Sequence, residues 1–218
     1  MKYKAAIFDM DGTILDTLED LCHTLDYTLE QFGFPKRTVP EMRSYLGNGM
    51  RKFIELGAPQ GTPEELREKM FAVFAEYYKT HCAIATKPYD GLLPMLAKLK
   101  EQGMLIAVVS NKADFGVQLL CEEYFPGVFH YAVGEKAGIS KKPAPDMVEA
   151  VLKEFKLRPE EAVYIGDSEV DLETARNAHM DDILVTWGFR DREFLEKLQP
   201  GCVVESMQEL ENELLMKN

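Results

Sequence analysis

Short apolar segments alternate with segments of helical periodicity along most of the chain. Three apolar segments, 5–9, 105–111 and 162–167, have the length of strands and end in polar residues. Their nearly continuous apolar character indicates strands buried on both faces, as in a parallel sheet. Weaker strand candidates are 129–133, 182–186 and 201–204, and helical patterns cover 92–102, 115–123, 145–155 and 170–178. This alternation predicts a doubly wound α/β fold with a parallel sheet.

Residues 17–87 interrupt the alternation, because they contain helical patterns and no convincing strand. The first pattern covers 17–32, and a capping box is expected where Asp16 or Thr17 precedes Glu19 and Asp20. A longer helix is predicted from about Thr62, with its apolar side chains on one face. The sequence therefore predicts a small all-helical cap domain, 16–88, inserted after the first strand of a core formed by 1–15 and 89–218. The connections near 15–17 and 87–91 are expected to act as hinges.

The polar residues that follow the three clearest strands are expected to share one site, because open α/β sheets bind ligands beyond the carboxyl ends of their strands. The first strand ends in the sequence FDMDGT, which contains Asp9 and Asp11. Gly12 indicates that the chain is already turning at Asp11, so the two carboxylates are expected to diverge and to differ in role. Taken alone, such a pair is as compatible with an ordinary turn as with a catalytic site.

Ser110 and Asn111 form the polar end of the second apolar segment and precede a predicted helix. They fit either an ordinary N-cap or a phosphate site at a helix N-terminus. Lys142 stands in the sequence KKPAPD, where Pro143 favours an extended backbone before it and Pro145 suits the start of a helix. A lysine at such a rigid position is less typical of a solvated loop.

Acidic residues also follow the third strand, in the sequence GDSEVD. Glu169 is favoured by the helix dipole and is expected to be structural. Asp167 and Asp171 are expected to face Asp9 and Asp11. Two carboxylates held about 4 Å apart repel by roughly 4 kcal/mol at an effective dielectric constant of 20. Four of them at one sheet edge predict a hard cation, and an all-oxygen ligand set suits Mg²⁺.

The four motifs DMDGT, VVSN, KKPAPD and GDSEVD, in this order, resemble those of the haloacid dehalogenase-like phosphatase superfamily over essentially the whole chain. The resemblance implies a Rossmann-like core in which Asp9 is the nucleophile that becomes an aspartyl-phosphate and Asp11 is the general acid and base. It also implies residues for the transferred phosphoryl group and for Mg²⁺. The phosphoryl group would contact Thr13, Ser110, Asn111 and Lys142, and the metal would contact Asp9, the Asp11 carbonyl and Asp167, with Asp171 supporting through water or lysine contacts.

Within that superfamily, residues 46–51, LGNGMR, resemble the cap loop of phosphoglycolate phosphatases, and residues 185–190 resemble a late segment of their core. Gly47 and Gly49 would let backbone N–H groups beside Asn48 face the substrate, with Arg43 or Arg51 available for a carboxylate. An ordinary turn between helices with solvated arginines is the alternative. The predicted function is a magnesium-dependent phosphatase for a small phosphate monoester resembling phosphoglycolate. A pyrophosphatase, a nucleotide or sugar-phosphate phosphatase and a β-phosphoglucomutase-like phosphotransferase remain alternatives.

Composition narrows the set of partners. The 218 residues carry a formal net charge of −12, with 37 acidic and 25 basic side chains, which argues against nucleic acid and anionic membranes. The four cysteines form no C-x-x-C pair, and no apolar run approaches the roughly 20 residues of a membrane span. Asp9 and Asp11 also interrupt the first apolar run too early for a signal peptide. These features predict a cytoplasmic protein, and the resemblance implies a small phosphorylated metabolite as its partner. We expect a monomer or weak dimer.

Overall fold

The computed structural model describes residues 2–216 and contains strands and helices in regular alternation outside the insert. The strands are β1 (Ala5–Phe8), β2 (Leu15–Asp16), β3 (Lys87–Pro88), β4 (Leu105–Ala113), β5 (Tyr131–Glu135), β6 (Ala162–Gly166), β7 (Asp181–Val185) and β8 (Val203–Val204). The helices are α1 (Leu18–Gln31), α2 (Val39–Tyr45), α3 (Met50–Gly57), α4 (Glu64–His81), α5 (Leu92–Glu101), α6 (Asp114–Tyr124), α7 (Asp146–Phe155), α8 (Glu169–Asn177), α9 (Arg192–Lys197) and α10 (Met207–Leu215).

Six strands form one parallel sheet in the order β5-β4-β1-β6-β7-β8, which confirms the predicted doubly wound fold. The short strand β1 lies at its centre and is completely buried. Its alternate residues face opposite layers of the core: Ala6 and Phe8 pack with α5, α6 and α10, whereas Ala5 and Ile7 pack with α7 and α8. Burial on both faces explains why the three central strands are continuously apolar.

Strand β4, which corresponds to the predicted segment 105–111, extends further along the chain than its apolar pattern predicts. Strand β4 continues to Ala113, where a register shift after Val109 lets Ala113 pair with Glu135 of β5. Helix α6 begins at Asp114, one residue before the predicted helical pattern, and its N-cap is Ala113. The interpretation of Ser110 and Asn111 as residues at a helix N-terminus is therefore wrong. Both residues lie within β4 and reach the site from the strand itself.

Helices α1 to α4 occupy the segment between Leu18 and His81 and pack on one another. The chain leaves and re-enters the core through an antiparallel pair, in which Leu15 faces Pro88 and Asp16 faces Lys87. Where the sequence indicates only a turn-rich linker, the structure therefore has strand β3. Within residues 2–216, none of the helices combines the length and the apolar character that a membrane crossing requires.

The buried carboxylate of Asp20 binds the chain where it returns from the insert. It accepts backbone N–H hydrogen bonds from Ile84 at 3.0 Å, Ala85 at 3.0 Å and Thr86 at 2.8 Å. The predicted capping box at the start of α1 is wrong, because Thr17 precedes the helix without a side-chain cap. Asp20 instead satisfies the amides of a segment more than sixty residues away.

Replacement of Asp20 by alanine is expected to lower the free energy of unfolding by about 2–4 kcal/mol, because three partly buried amides lose a charged acceptor. Urea denaturation of the variant measures the loss. The matched control is Glu19→Ala, which removes an exposed carboxylate from the same helical turn and should cost less than about 1 kcal/mol. Equal losses in the two variants would show that the amide contacts contribute nothing specific.

Candidate active site

Asp9 and Asp11 follow the central strand and point to different lysines. Lys142 Nζ lies 2.9 Å from Asp9 Oδ1, whereas Lys112 Nζ donates to Asp11 Oδ1 at 2.7 Å. The chain turns sharply between the two environments because Gly12 has a φ of +85° and its N–H donates to the carbonyl of Leu15. The carboxylates therefore diverge, as the glycine predicts, and each has its own positive charge.

Lys142 lies at the centre of a buried polar network, and its side chain is only 1% exposed. Its ammonium donates to Asp171 Oδ1 at 2.7 Å and to the hydroxyl of Tyr164 at 3.0 Å. That hydroxyl in turn donates to the carbonyl of Val109 at 3.0 Å. Burial acts to lower the pKa of Lys142, but the charges of Asp171 and Asp9 raise it well above its ordinary value, so the group stays protonated.

Both oxygens of Asp171 are occupied by the protein. Oδ1 accepts from Lys142, and Oδ2 accepts from the backbone N–H groups of Asp167 and Ser168, each at 3.1 Å, and from the Ser168 hydroxyl at 2.6 Å. This arrangement is the capping box of α8. A Cβ at Gly166 would overlap Asp171, so only glycine leaves room for the carboxylate behind β6. Asp171 makes the expected lysine contact and fixes the start of α8.

Asp167 is buried at the tip of β6 and is surrounded by two neighbouring loops. Its Oδ2 accepts the Phe189 N–H at 2.6 Å, and its Oδ1 accepts the Thr13 hydroxyl at 3.3 Å. A side chain at Gly12 or Gly188 would enter the space that the carboxylate occupies. Burial raises the pKa of Asp167, and the charges of Asp171 and Asp9 raise it further.

The carboxylate cluster fits a hard divalent cation. One oxygen from each of Asp9, Asp167 and Asp171 lies within 4.8 Å of the others. Burial, opposed by Lys142, raises the pKa of Asp9, whose Oδ1 forms a buried ion pair with Lys142 Nζ at 2.9 Å. The three carboxylates share one buried ammonium, that of Lys142, and an all-oxygen set that is short of positive charge suits Mg²⁺. Because Asp171 is fully engaged, Asp9 and Asp167 are the side chains with free capacity.

A cavity of about 40 Å³ lies between the sheet edge and the helical insert. The core contributes Asp9, Asp11, Ser110, Asn111 and Lys112 to its lining, and the insert contributes Gly47, Gly49 and apolar side chains that include Leu46, Met50 and Phe53. The Asn111 amide donates to the carbonyls of Gly47 at 3.2 Å and Lys142 at 3.0 Å, which joins core to insert. The cavity is therefore lined by the ends of β1 and β4, by Phe189 after β7 and by the glycine loop of the insert.

Three predicted cap residues lie outside the lining of this cavity. Arg51 pairs with Glu68 and lies over the ring of Phe71, 4.0 Å from its centroid. Arg43 donates to the carbonyl of Gly188 at 2.6 Å. Asn48 contributes a backbone carbonyl that accepts from Lys141 at 3.2 Å. Both arginines are thus engaged with protein groups beside the cavity.

The sequence analysis missed three residues that support the site. Tyr164 holds Lys142, and the indole N–H of Trp187 donates to the Thr13 carbonyl at 3.1 Å. Arg190 binds both oxygens of Glu169, at 2.7 and 2.8 Å, and the Leu46 carbonyl at 3.0 Å. The partners of all three residues are distant in sequence. The one local signal for such a role is the hydroxyl group of Tyr164 within an otherwise apolar strand.

Replacement of Tyr164 by phenylalanine is expected to lower the free energy of unfolding by about 1–2 kcal/mol, because Lys142 and the Val109 carbonyl each lose a buried partner. Urea denaturation tests this expectation. Tyr131→Phe is the control, since the hydroxyl of this half-buried tyrosine makes no hydrogen bond with any part of the chain that the structure describes. If both variants are as stable as the wild type, the Tyr164 hydroxyl does not support Lys142.

Comparison with known proteins identifies relatives of this architecture. A family model described as haloacid dehalogenase-like hydrolase matches residues 6–185. A phosphoglycolate phosphatase from Nitrosococcus oceani is 31% identical over 211 residues, 94% of each chain. One from Aquifex aeolicus is 30% identical over 187 residues, 85% of this chain and 86% of the relative. The crystal structure of a candidate phosphoglycolate phosphatase from Lactobacillus delbrueckii subsp. bulgaricus matches with 41% identity and a TM-score of 0.94 over the whole of both chains.

Proposed function

The chain belongs to the haloacid dehalogenase-like hydrolase family as a phosphoric monoester hydrolase, and we propose that it hydrolyses a small phosphate monoester resembling phosphoglycolate. The proposal extends to an aspartyl-phosphate mechanism and to dependence on Mg²⁺. The observation that carries it is the buried carboxylate of Asp9, which lines the cavity and lies 2.9 Å from Lys142 Nζ. A carboxylate in this position is a suitable nucleophile toward phosphorus, because one of its oxygens can attack while the other binds a metal.

In the first step, Asp9 attacks the phosphorus atom of the ester, and the bond between phosphorus and the leaving oxygen breaks as Asp11 donates a proton to that oxygen. In the second step, Asp11 takes a proton from a water molecule that attacks the aspartyl-phosphate. The bond between phosphorus and the Asp9 oxygen then breaks, which releases inorganic phosphate and restores the carboxylate. The divergence of the two side chains after β1 suits this division of roles.

The transferred phosphoryl group is held by Ser110, Asn111, Thr13 and the ammonium of Lys142. The lysine is fixed beforehand by Asp171 and Tyr164, so its charge needs no reorganisation when negative charge accumulates in the transition state. Asp9, Asp167 and the backbone carbonyl of Asp11 would hold Mg²⁺, with Asp171 acting through Lys142. When bound, the ion would reduce the repulsion between the phosphoryl oxygens and the attacking carboxylate.

The size of the cavity favours a small leaving group. A buried water needs roughly 10–15 Å³ of such volume, so a cavity of about 40 Å³ is the size of about three water molecules. Gly47 and Gly49 form one wall with their backbone, and a side chain at Gly49 would crowd the Asn111 carbonyl at 3.1 Å. These features and the names of the relatives support a two- or three-carbon ester over a nucleotide or a sugar phosphate.

Asp9→Asn is expected to reduce phosphate release by at least about 10³-fold, because an amide cannot replace the carboxylate as nucleophile. The variant should fold normally, since it keeps the volume of the side chain, and circular dichroism checks this point. Asp90→Asn, at an exposed position in the returning connection, serves as the control. Near-normal turnover by folded Asp9→Asn protein would exclude Asp9 as the nucleophile.

Assays of phosphate release from phosphoglycolate, pyrophosphate, a nucleoside monophosphate and glucose 6-phosphate test the substrate class. Phosphoglycolate is expected to give the highest kcat/KM, because its leaving group matches the small cavity. Activity should disappear with EDTA and return with added Mg²⁺. A preference for pyrophosphate, a requirement for a sugar bisphosphate or activity that survives the chelator would each contradict part of the proposal.

A further inference from the structure

Lys112 places a second buried ammonium group at the wall of the active-site cavity. It belongs to β4, two residues after Ser110, and its side chain is 1% exposed. The aliphatic part packs against α6, where a Cβ at Gly116 would lie 3.4 Å from its Cδ. The ammonium is therefore directed by packing toward Asp11 and the cavity.

The ammonium of Lys112 is less fully engaged than that of Lys142. Lys142 is surrounded by Asp9, Asp171 and the Tyr164 hydroxyl. Lys112 makes one hydrogen bond to a side chain, with Asp11, and otherwise lies 4.8 Å from the ring centroid of Tyr78 on α4. An ammonium has three donors, so Lys112 keeps capacity for a further acceptor within the cavity.

The other residues that line the cavity carry no positive charge. Its lining on the insert side consists of glycine backbone and apolar side chains, and Lys112 is the basic side chain that the lining contains. Arg43 and Arg51 bind protein groups outside the lining. A carboxylate enclosed in this space needs a positive partner, because burying an unpaired charge is strongly unfavourable.

We propose that Lys112 is the specificity-determining residue that binds a carboxylate on the leaving group and selects two-carbon phosphate esters with an anionic leaving group over those with an uncharged one. The inference rests on the proposed phosphatase function and specifies the substrate class of the same site. Asp11 is the group that would protonate the leaving oxygen, and Lys112 Nζ lies 2.7 Å from its carboxylate. In a glycolate leaving group the carboxylate is separated from that oxygen by one carbon atom, so both groups of the substrate can be reached from this corner.

The test compares phosphoglycolate with 2-hydroxyethyl phosphate, an ester of the same chain length whose leaving group is uncharged. The wild-type enzyme with Mg²⁺ is expected to prefer phosphoglycolate by about 10- to 100-fold in kcat/KM, the range of one charge-assisted hydrogen bond. Lys112→Met, which keeps the unbranched chain but lacks the ammonium, should abolish that preference by lowering kcat/KM for phosphoglycolate more than for 2-hydroxyethyl phosphate. Lys136→Met removes the same charge from an exposed residue and should leave the preference unchanged.

A purely positional role of Lys112 toward Asp11 predicts a different result, in which both esters lose activity by the same factor. That outcome would overturn the inference, as would a wild-type enzyme that hydrolyses both esters equally well. A wild-type enzyme that hydrolyses neither ester would instead refute the proposed function and the inference that depends on it. The two failures are therefore distinguishable.

A binding measurement keeps the inference testable if Lys112→Met is too slow for kinetic analysis. In the Asp9→Asn background, calorimetry with each ester and Mg²⁺ should show the same 10- to 100-fold preference, and addition of Lys112→Met should remove it. If the methionine variant does not fold, Lys112→Arg and Lys112→Gln replace it. The arginine variant should retain the preference for phosphoglycolate and the glutamine variant should lose it; equal preference in both would overturn the inference.

Discussion

The structure depends on the cost of holding three carboxylates together in a buried place. Asp9, Asp167 and Asp171 meet beside the centre of the sheet, where burial and mutual repulsion raise the pKa of Asp9 and Asp167. Lys142 offsets part of this cost by contacting two of the three. The surrounding glycines follow from the same constraint, because Gly166 leaves room for Asp171, and Gly12 and Gly188 leave room for Asp167. The stability of the sheet edge and the chemistry of the site are therefore set by the same charges.

The sequence predicts the central strands well because their signal is local. Predicted segments 5–9 and 162–167 differ by one residue from β1 and β6, and the helix predicted at 17–32 differs from α1 by one residue at each end. Continuous apolar runs and helical periodicity are sufficient for these elements. To predict that the motif residues share one site, only one further rule is required, namely that the carboxyl ends of parallel strands lie at the same edge of the sheet.

The remaining features depend on partners that are distant in the chain. Strand β4 extends to Ala113 because β5 is available to pair with it, and nothing within β4 reports that partner. The carboxylate of Asp20 could cap its own helix or bind the amides of residues 84–86, and only the folded arrangement decides between them. Arg51 matches the predicted cap motif, but Glu68 and Phe71 hold its side chain outside the cavity lining. The sequence pattern therefore predicts which residues lie near the site, but it does not predict the direction in which their side chains point.

The pairing of β2 with β3 has a consequence for how this architecture can diversify. Since Leu15 lies opposite Pro88, the chain leaves the core and returns to it at adjacent points. The six-stranded sheet contains no residue from the helices between these two points. A segment of different length or packing could be grafted between the same two points without altering the order of the six strands. The helical insert, which forms one wall of the cavity, can thereby evolve separately from the sheet edge that carries the reacting carboxylates. New leaving groups can then be accommodated while those carboxylates stay in place.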